Sequence, residues 1–416
     1  MLFKKIALGA VVGLMATSAH AAGHKVDCGP SGQSIRILAS DFPAIHAVAD
    51  AAEEHCAGNA AEFVRNHTTE ARKIMNAALT PNPSEYSSVI VANSTLVQLM
   101  NDGLVRPLDD YVAKYGKHLK KNQLITINGK VMAVAFMANS QHLYVRKDIL
   151  EKAGVDGIPS TYSEVVAAAK KIRDAGIMEH PIVMNMIDWN MGETFNTMFL
   201  GHGGSHFKAG TAQPAVNGPE GLATLNTLAQ LVEYAHPDHL THASNETQAL
   251  WEAGEAAIGI MWGSRAGVIL DDEGSSPEVT SNTVLASAPT TDGGSIAGAT
   301  LWWDGITIST NVPDAEAEAT FAALVSGMTP EMVAANNDDA VWLIDGFKPG
   351  ASASGVAATA NNGAKPYPMF PQMGIMHNTL SAELVDFVKG AESAEQALAD
   401  IEAAYTTAAK EQGFLK

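Results

Sequence analysis

The residues best suited to chemistry in this sequence are tryptophans that stand beside polar side chains. Aromatic residues make up only 6% of the 416-residue chain, yet three short segments place tryptophan next to carboxylate, amide or guanidinium groups. A sugar ring has apolar C–H faces and a polar hydroxyl rim, so flat aromatic faces beside such groups complement it. The three segments are Asp188-Trp189-Asn190, Trp262-Gly263-Ser264-Arg265 and Trp302-Trp303-Asp304.

Core packing is the alternative explanation for the same tryptophans. Trp302 and Trp303 are neighbours in a predicted strand, where successive side chains point to opposite faces, so at least one of them is expected to pack. Trp251 and Trp342 lie in helical or irregular segments, and we interpret both as core residues.

Most signatures of enzymes are absent from the sequence. It contains no G-x-S-x-G, no H-E-x-x-H, no P-loop and no complete G-x-G-x-x-G. His236, His239 and His242 are regularly spaced, but an intervening proline prevents the helix that would fix them, so we predict no metal site and no cofactor. Two rivals to a carbohydrate site stay open. One is a secreted hydrolase with Asp188 and Asp304 as paired carboxylates; the other is a carrier of a cationic solute such as a polyamine.

The elements that must position these residues alternate between strands and helices. The pattern predicts strands at 34–39, 61–64 and 89–91, with helices at 44–55 and 72–79 between and after them. This alternation predicts a parallel sheet covered by helices, and sites on such sheets lie beyond the carboxyl ends of the strands. The residues that follow these strands are Asp41, Phe42, Asn66, His67, Asn93 and Ser94.

A second unit of the same kind follows along the chain. A helix is predicted over 160–175, because Thr161 and Glu164 have capping-box spacing and Gly176 suits the left-handed residue that ends it. Without a long linker, the two units predict a two-lobed α/β fold, each lobe a mainly parallel sheet flanked by helices, with a cleft between them. The other predicted elements are strands at 181–184, 258–261 and 305–308 and helices at 315–325 and 394–409.

The start of the chain and its charge bear on where the protein works. Residues 1–21 resemble a secretion signal, with two lysines, a short apolar stretch and a small-residue cleavage site. The apolar stretch is shorter than the roughly 20 residues that span a bilayer. With a formal net charge of −19 and no Lys/Arg-rich stripe, a nucleic-acid partner is not expected. We therefore expect a soluble periplasmic protein.

The only two cysteines are Cys28 and Cys56. In an oxidising compartment such a pair favours a disulfide bond. Two unpaired, buried thiols are the alternative.

Several further segments carry a family resemblance that spans nearly the whole mature chain. Each is weak alone, but their order and spacing resemble the maltose-binding-like family of extracellular solute-binding proteins, which deliver carbohydrates to ABC importers. The segments are GLVRPLD at 103–109, NGKVMAV at 128–134, LYVRKDILEKAG at 143–154, WEAGEAAIGIMW at 251–262, GGSIAGATLWWDGITI at 293–308, and AEQAL at 394–398 followed by QGF at 412–414.

The resemblance implies two lobes that close on a ligand about a hinge. The first lobe would comprise 22–136 with 284–332, and the second 137–283 with 333–416. It also implies a monomer that binds a carbohydrate, has no cofactor and meets the membrane permease subunits of an ABC importer. The ligand contacts carried over are Asp41, Phe42, His67, Asn93, Asn139, Asp188, Trp189, Trp262, Trp302 and Asp304.

Two further features bear on the kind of ligand. Arg65 and Arg265, placed near the implied cleft, allow an anionic group. Oligosaccharide-binding members of the family often carry another aromatic residue at 374–377, where this chain reads GIMH. The expected ligand is therefore a monosaccharide, disaccharide, polyol or sugar conjugate, and the protein is not expected to be an enzyme.

Overall fold

A computed structural model describes residues 26–271, 273–291 and 293–416 of the chain. The predicted signal segment, 1–21, lies outside the described residues. No helix in the described part of the chain combines the length and apolar character needed to cross a membrane.

Twelve strands are present in the described residues. Most follow the predicted apolar runs; β1, for example, has the bounds predicted for it. The strands are β1 (Ser34–Ala39), β2 (Glu62–His67), β3 (Ser88–Ala92), β4 (Leu124–Ile127), β5 (Lys130–Asn139), β6 (Gln141–Arg146), β7 (Ile182–Met184), β8 (Ile258–Trp262), β9 (Thr283–Ala286), β10 (Thr300–Ile306), β11 (Val341–Trp342) and β12 (Lys365–Pro366).

Sixteen α-helices accompany these strands in the described residues. They are α1 (Pro43–Cys56), α2 (Ala71–Leu79), α3 (Asn93–Asn101), α4 (Asp109–Tyr115), α5 (Lys147–Lys152), α6 (Tyr162–Asp174), α7 (Trp189–Gly201), α8 (Pro219–Val232), α9 (Ser244–Glu252), α10 (Ala266–Leu270), α11 (Pro277–Asn282), α12 (Asp314–Ser326), α13 (Pro330–Ala335), α14 (Ser354–Asn361), α15 (Met373–Val388) and α16 (Ala394–Glu411).

Helix α6 shows how local sequence sets an element. The Thr161 hydroxyl accepts from the backbone N–H of Glu164 at 3.1 Å, and the Glu164 carboxylate accepts from the N–H of Thr161 at 3.2 Å. Gly176 has φ +66°, the left-handed conformation expected just past the helix. The predicted capping box is therefore confirmed.

The strands form two sheets, one in each lobe. The first-lobe sheet has eight strands in the order β11-β5-β10-β3-β1-β2, with β4 paired to β5 and β12 to β10. The second-lobe sheet has four strands in the order β7-β8-β6-β9. The predicted two-lobed α/β fold is confirmed.

Both sheets are mixed, whereas mainly parallel sheets were predicted. Strand β1 is parallel to β2 and β3, but β10 is antiparallel to β3 and β5, and β6 is antiparallel to β8 and β9. The reason is that β6 and β10 carry the chain from one lobe into the other. Each enters its sheet at the edge where the neighbouring strands end, so it must run in the opposite direction.

The predicted lobes were 22–136 with 284–332 for the first and 137–283 with 333–416 for the second. Two strands pair with the sheet of the other lobe. Strand β9 pairs with β6 in the second lobe, although most of it was assigned to the first. Strand β11 pairs with β5, and Trp342 and Ile344 belong to the first-lobe core, although both were assigned to the second. The chain thus returns to the first lobe at β10 and stays there through Ile344.

Each sheet is covered on both faces by apolar side chains. Along β1, Ile35 and Ile37 face a cluster built with α1 and α12, whereas Leu38 faces a cluster built with α2 and α3. Trp251 is fully buried in the second lobe, so its interpretation as a core residue is confirmed, as is that of Trp342.

Cys28 and Cys56 form a disulfide bond, as predicted. The bond ties the start of the described chain to the last residue of α1.

Candidate functional site

The cleft is the place where strand ends of the two lobes meet. Strands β1, β2, β3 and β5 end at this edge of the first lobe, and β8 ends beside the start of β6, with Trp262 opposite Gln141. The chain passes from β5 to β6 through Ser140, the connection at which a hinge is expected.

Side chains of α2 and α7 join the two lobes directly across this cleft. The Lys73 ammonium lies 3.5 Å from a carboxylate oxygen of Asp188. The preceding residue, Arg72, places its guanidinium carbon 4.5 Å from the ring centroid of Trp189. Two consecutive cations of the first lobe therefore contact two consecutive residues of the second.

Both faces of the Trp189 ring are covered by protein groups. One face stacks on the His377 imidazole, with centroids 4.2 Å apart and planes 15° apart. The stacked imidazole leaves only the opposite face for the Arg72 guanidinium. Trp189 was predicted to contact a ligand, which stays a prediction; in this structure its ring contacts His377 and Arg72.

Trp262 and Trp302 lie beside Trp189 and are nearly buried, with 8% and 4% of their surface exposed. The ring of Trp302 meets the rings of Trp262 and Trp189 edge to face, at centroid distances of 5.8 Å and 5.3 Å. Trp303 points the other way and packs partly buried against the first-lobe core. One member of the Trp302–Trp303 pair therefore packs in that core, as expected, and Trp302 belongs to the aromatic cluster.

Arg72, Asp304 and Glu193 bring charge to this cluster. Burial raises the pKa of Asp304 to about 6, although the charge of Arg72 lowers it. Burial also raises the pKa of Glu193 to about 7, against hydrogen bonds from Thr300 and Trp302 that favour the ionised form. Burial lowers the pKa of Arg72, opposed by Asp304 and Glu193.

A second polar group, made of Asp41, His46, His67 and Arg265, lies at the ends of β1, β2 and β8. A carboxylate oxygen of Asp41 lies 2.7 Å from His46 Nε2, and the His46 and His67 rings stack 4.0 Å apart. Burial, followed by the charges of His46 and Arg65, lowers the pKa of His67. Burial also lowers the pKa of Arg265, a second-lobe group whose charge Asp41 helps to stabilise.

Three other predicted contact residues have structural partners. The Asn93 amide accepts from the N–H of Trp303 at 2.9 Å, and Phe42 packs partly buried against the first-lobe core. The Asn139 side chain accepts from the N–H groups of Ser140 and Ser264, at 3.0 and 3.1 Å. Asn139 therefore ties the turn that follows Trp262 to the connection between β5 and β6.

Arg65 does not join either polar group. Its guanidinium forms ion pairs with Asp50 and Glu53 of α1. The role of Arg65 towards an anionic ligand stays a prediction, and in this structure its charge is paired with these two carboxylates.

Four residues of the cluster were missed by the sequence analysis: Arg72, Glu193, Tyr367 and His377. Arg72 lies in the first turn of α2, just beyond the end of β2, so the rule that selected His67 could have found it. Glu193 is the one carboxylate within α7, an otherwise apolar and amide-rich helix. His377 was considered only as part of the GIMH segment at 374–377, and nothing in the sequence singled out Tyr367. Both reach the cluster through the packing of the last third of the chain.

The described residues contain no group of three or more His, Cys, Asp or Glu side chains arranged to hold a metal ion.

Comparison with known proteins places the chain in a family. The family model for bacterial extracellular solute-binding proteins matches residues 39–328. The chain belongs to this family. Its curated relatives include the sn-glycerol-3-phosphate-binding periplasmic protein UgpB of Agrobacterium fabrum, 25% identical over 169 residues, which are 38% of each chain. A probable ABC transporter-binding protein of Deinococcus radiodurans is 25% identical over 143 residues, 33% of this chain and 34% of that protein. The alignments thus span little more than a third of these relatives.

Solved structures of solute-binding proteins share the fold over nearly the whole chain. A solute-binding protein from Agrobacterium radiobacter K84, in complex with ribitol, superposes with a TM-score of 0.78 at 20% identity, covering 91% of this chain and all of that one. Maltose-bound T. maritima MalE3 superposes with a TM-score of 0.76 at 17% identity, covering 90% of this chain and 99% of that one. At these identities the likeness establishes the two-lobed fold.

Proposed function

We propose that this solute-binding protein captures a small carbohydrate in the cleft and delivers it to the permease of an ABC importer. The observation that carries the proposal is the cluster at the cleft. There the indoles of Trp189, Trp262 and Trp302 lie beside Arg72 and Asp304. Aromatic rings match the C–H faces of a sugar, while a guanidinium and a carboxylate can donate to and accept from its hydroxyl groups.

The two polar groups of the cleft would then share the ligand. Trp262 is the proposed stacking residue, because it ends β8 at the cleft and Ser264 and Arg265 follow with hydrogen-bond donors. At the other end Asp41 and His67 would take further hydroxyl groups. Asp188 and Trp189 would contribute through their contacts between the lobes and would not offer an exposed aromatic face to the ligand.

Lobe closure is the proposed mechanism of capture. The contacts of Lys73 with Asp188 and of Arg72 with Trp189 join the lobes and would be lost if the cleft opened about Asn139 and Ser140. A ligand that touches both lobes binds the closed arrangement better and shifts the equilibrium towards it. The closed form would be the one that docks on the permease.

The relatives support a polyhydroxylated ligand of modest size. The similar structures contain ribitol, mannitol or maltose, and a curated relative binds sn-glycerol 3-phosphate by its name. We therefore propose a monosaccharide, disaccharide, polyol or sugar conjugate. A monomer in the periplasm, released from residues 1–21, fits the disulfide between Cys28 and Cys56.

Both rival functions are less well supported by the geometry. A hydrolase needs two carboxylates facing the substrate, whereas Asp188 is exposed and paired with Lys73. A cationic ligand at Asp304 would meet the guanidinium of Arg72 beside it. We therefore propose that the protein binds without turnover and is not an enzyme.

Titration calorimetry of the purified mature protein tests the proposal. The panel contains ribitol, mannitol, maltose, sn-glycerol 3-phosphate and, as the cationic rival, spermidine. The expected result is binding of a carbohydrate at one site per chain, with the sugar recovered unchanged by mass spectrometry. Release of a hydrolysis product would favour the hydrolase. Binding of spermidine with no response to any carbohydrate would overturn the carbohydrate proposal.

A further inference from the structure

Glu193 is a fully buried carboxyl group that holds an aromatic residue of the crossing strand β10. One of its oxygens accepts from the Trp302 indole N–H at 2.9 Å and from the Thr300 hydroxyl. The other oxygen accepts from the Asn196 amide at 3.4 Å. Because Glu193 lies on α7 of the second lobe, these bonds fix the orientation of Trp302 against that lobe.

The same carboxyl group is the end of a longer buried network. The Asn196 amide donates to His377 Nδ1 at 3.1 Å, and the Tyr367 hydroxyl donates to the same nitrogen at 2.9 Å. His377 Nε2 then donates to the backbone carbonyl of Trp189 at 2.8 Å. The network therefore connects Trp302, Tyr367 and Trp189, three aromatic residues of the cleft.

We propose that Glu193 is a positioning residue that orients the Trp302 indole, and that protonation of its carboxylate changes the shape of the aromatic cluster and its affinity for carbohydrate. The ionised carboxylate can accept from Trp302, Thr300 and Asn196 together. A proton on one oxygen needs an acceptor, and among the three partners only the Thr300 hydroxyl can supply one, by reversing its bond to Glu193. Protonation must therefore break or rearrange at least one of these bonds.

The surroundings of Glu193 act on its pKa in opposite directions. Burial raises its pKa to about 7, while the three hydrogen bonds and the positive charge of Arg72 oppose that rise. Asp304, with a pKa raised to about 6, is the other group that titrates nearby, while burial keeps His206 and His377 neutral by lowering their pKa to about 3. The charged and titratable groups that act on Glu193 directly are Arg72 on α2 and Tyr367 before α15. His377 on α15 and His206 after α7 are linked to it through Asn196, and Asp304 on β10 interacts with the same Arg72.

Intrinsic tryptophan fluorescence, measured from about pH 5.5 to about pH 8.5, tests the proposal without any ligand. The wild-type protein should show a transition with a midpoint near pH 7, and Glu193→Gln should lack it. Thr300→Val should move the midpoint to higher pH, because the lost hydrogen bond favours the ionised form.

A purely structural role for Glu193 would change the melting temperature of Glu193→Gln without any shift of the fluorescence midpoint in Thr300→Val. The matched control is Glu316→Gln, which replaces a buried glutamate paired with Arg36 in the first lobe.

A second experiment measures affinity and rests on the proposed carbohydrate binding, whereas the fluorescence experiment does not. Calorimetry at about pH 6 and about pH 8, with whichever of ribitol, mannitol or maltose binds the wild-type protein, should show an affinity change of about threefold or more that Glu193→Gln lacks. Asp304→Asn should retain the fluorescence transition, which would show that Glu193 and not Asp304 causes it. The proposal is overturned if Glu193→Gln keeps the wild-type midpoint, or if Thr300→Val leaves it in place. A fluorescence transition without carbohydrate binding would instead count against the proposed function.

Discussion

The guanidinium of Arg72 lies 4.5 Å above the indole centroid of Trp189, and the two residues belong to different lobes. The ring quadrupole attracts a cation that lies over the aromatic face. This attraction contributes about 0.5–2 kcal/mol, with the larger values where water is excluded. Lys73 and Asp188, the neighbours of these residues along the chain, add an ion pair beside the contact. The lobes are therefore held together by side chains that also border the proposed ligand site.

Replacing Arg72 should loosen this closed arrangement. In Arg72→Gln we expect a larger radius of gyration by solution X-ray scattering than in the wild-type protein without ligand, because the cation–aromatic contact is lost. Arg72→Lys should recover part of the difference, since it keeps the charge but not the planar group.

The matched control for Arg72 is Lys170→Gln. Lys170 pairs with Asp174 within α6 of the second lobe. An equal expansion in this control, or no expansion in Arg72→Gln, would contradict a role of Arg72 in holding the lobes together.

Trp262 should contribute to affinity and Trp251 only to stability. Both are buried in the second lobe, but Trp262 lies in the cleft cluster and Trp251 in the core behind it. Trp262→Leu should weaken carbohydrate binding about tenfold or more, because stacked apolar area contributes about 1–3 kcal/mol. Leucine retains bulk, so the cavity that alanine would leave is reduced.

Calorimetry and thermal melts of Trp262→Leu and Trp251→Leu separate the two roles. Trp251→Leu should lower the melting temperature while the folded protein keeps its affinity. If Trp262→Leu behaves in the same way, Trp262 is a core residue and the stacking proposal fails.

Much of the fold could be predicted because local patterns decide it. The boundaries of β1 and the cap of α6 follow from alternation and capping chemistry, which act within a few residues. The direction of β10 could not be predicted in this way. It depends on where the chain crosses between the lobes, which is a property of the whole topology.

The candidate site was only partly predictable for a similar reason. The tryptophans could be found from their polar neighbours in sequence, but their burial depends on partners such as Glu193 and His377, which are distant along the chain. Arg65 was chosen for its charge and its place near a strand end. Its charge is satisfied by α1, because alternate side chains of β2 face that helix.

The disulfide should contribute measurably to stability. Removing both sulfur atoms in Cys28→Ser/Cys56→Ser should lower the free energy of unfolding by about 2–5 kcal/mol, as measured by urea denaturation without reductant. Wild-type protein unfolded in the presence of a reductant should approach the variant. Intact-mass measurement checks the bond itself, and two free thiols in protein purified from the periplasm would contradict it.

Three buried histidines predict that the protein loses stability in mild acid. Burial lowers the pKa of His142 to about 4 and those of His206 and His377 to about 3. In the unfolded chain histidine titrates near 6.5. Between that value and the lowered values the unfolded state binds more protons than the folded state, so the free energy of unfolding falls as the pH falls.

The buried acids of the cleft oppose this loss over part of the same range. The pKa values of Glu193 and Asp304 are raised to about 7 and about 6, so the folded state binds their protons more tightly than the unfolded state does. Their contribution to the free energy of unfolding therefore rises as the pH falls from about 7 towards the ordinary carboxyl range near 4.

Urea denaturation at a series of pH values should show a steeper loss of stability in acid for Glu193→Gln than for the wild-type protein, because one opposing group is gone. A slope that is equal in wild type and Glu193→Gln would mean that Glu193 keeps an ordinary pKa in the folded protein.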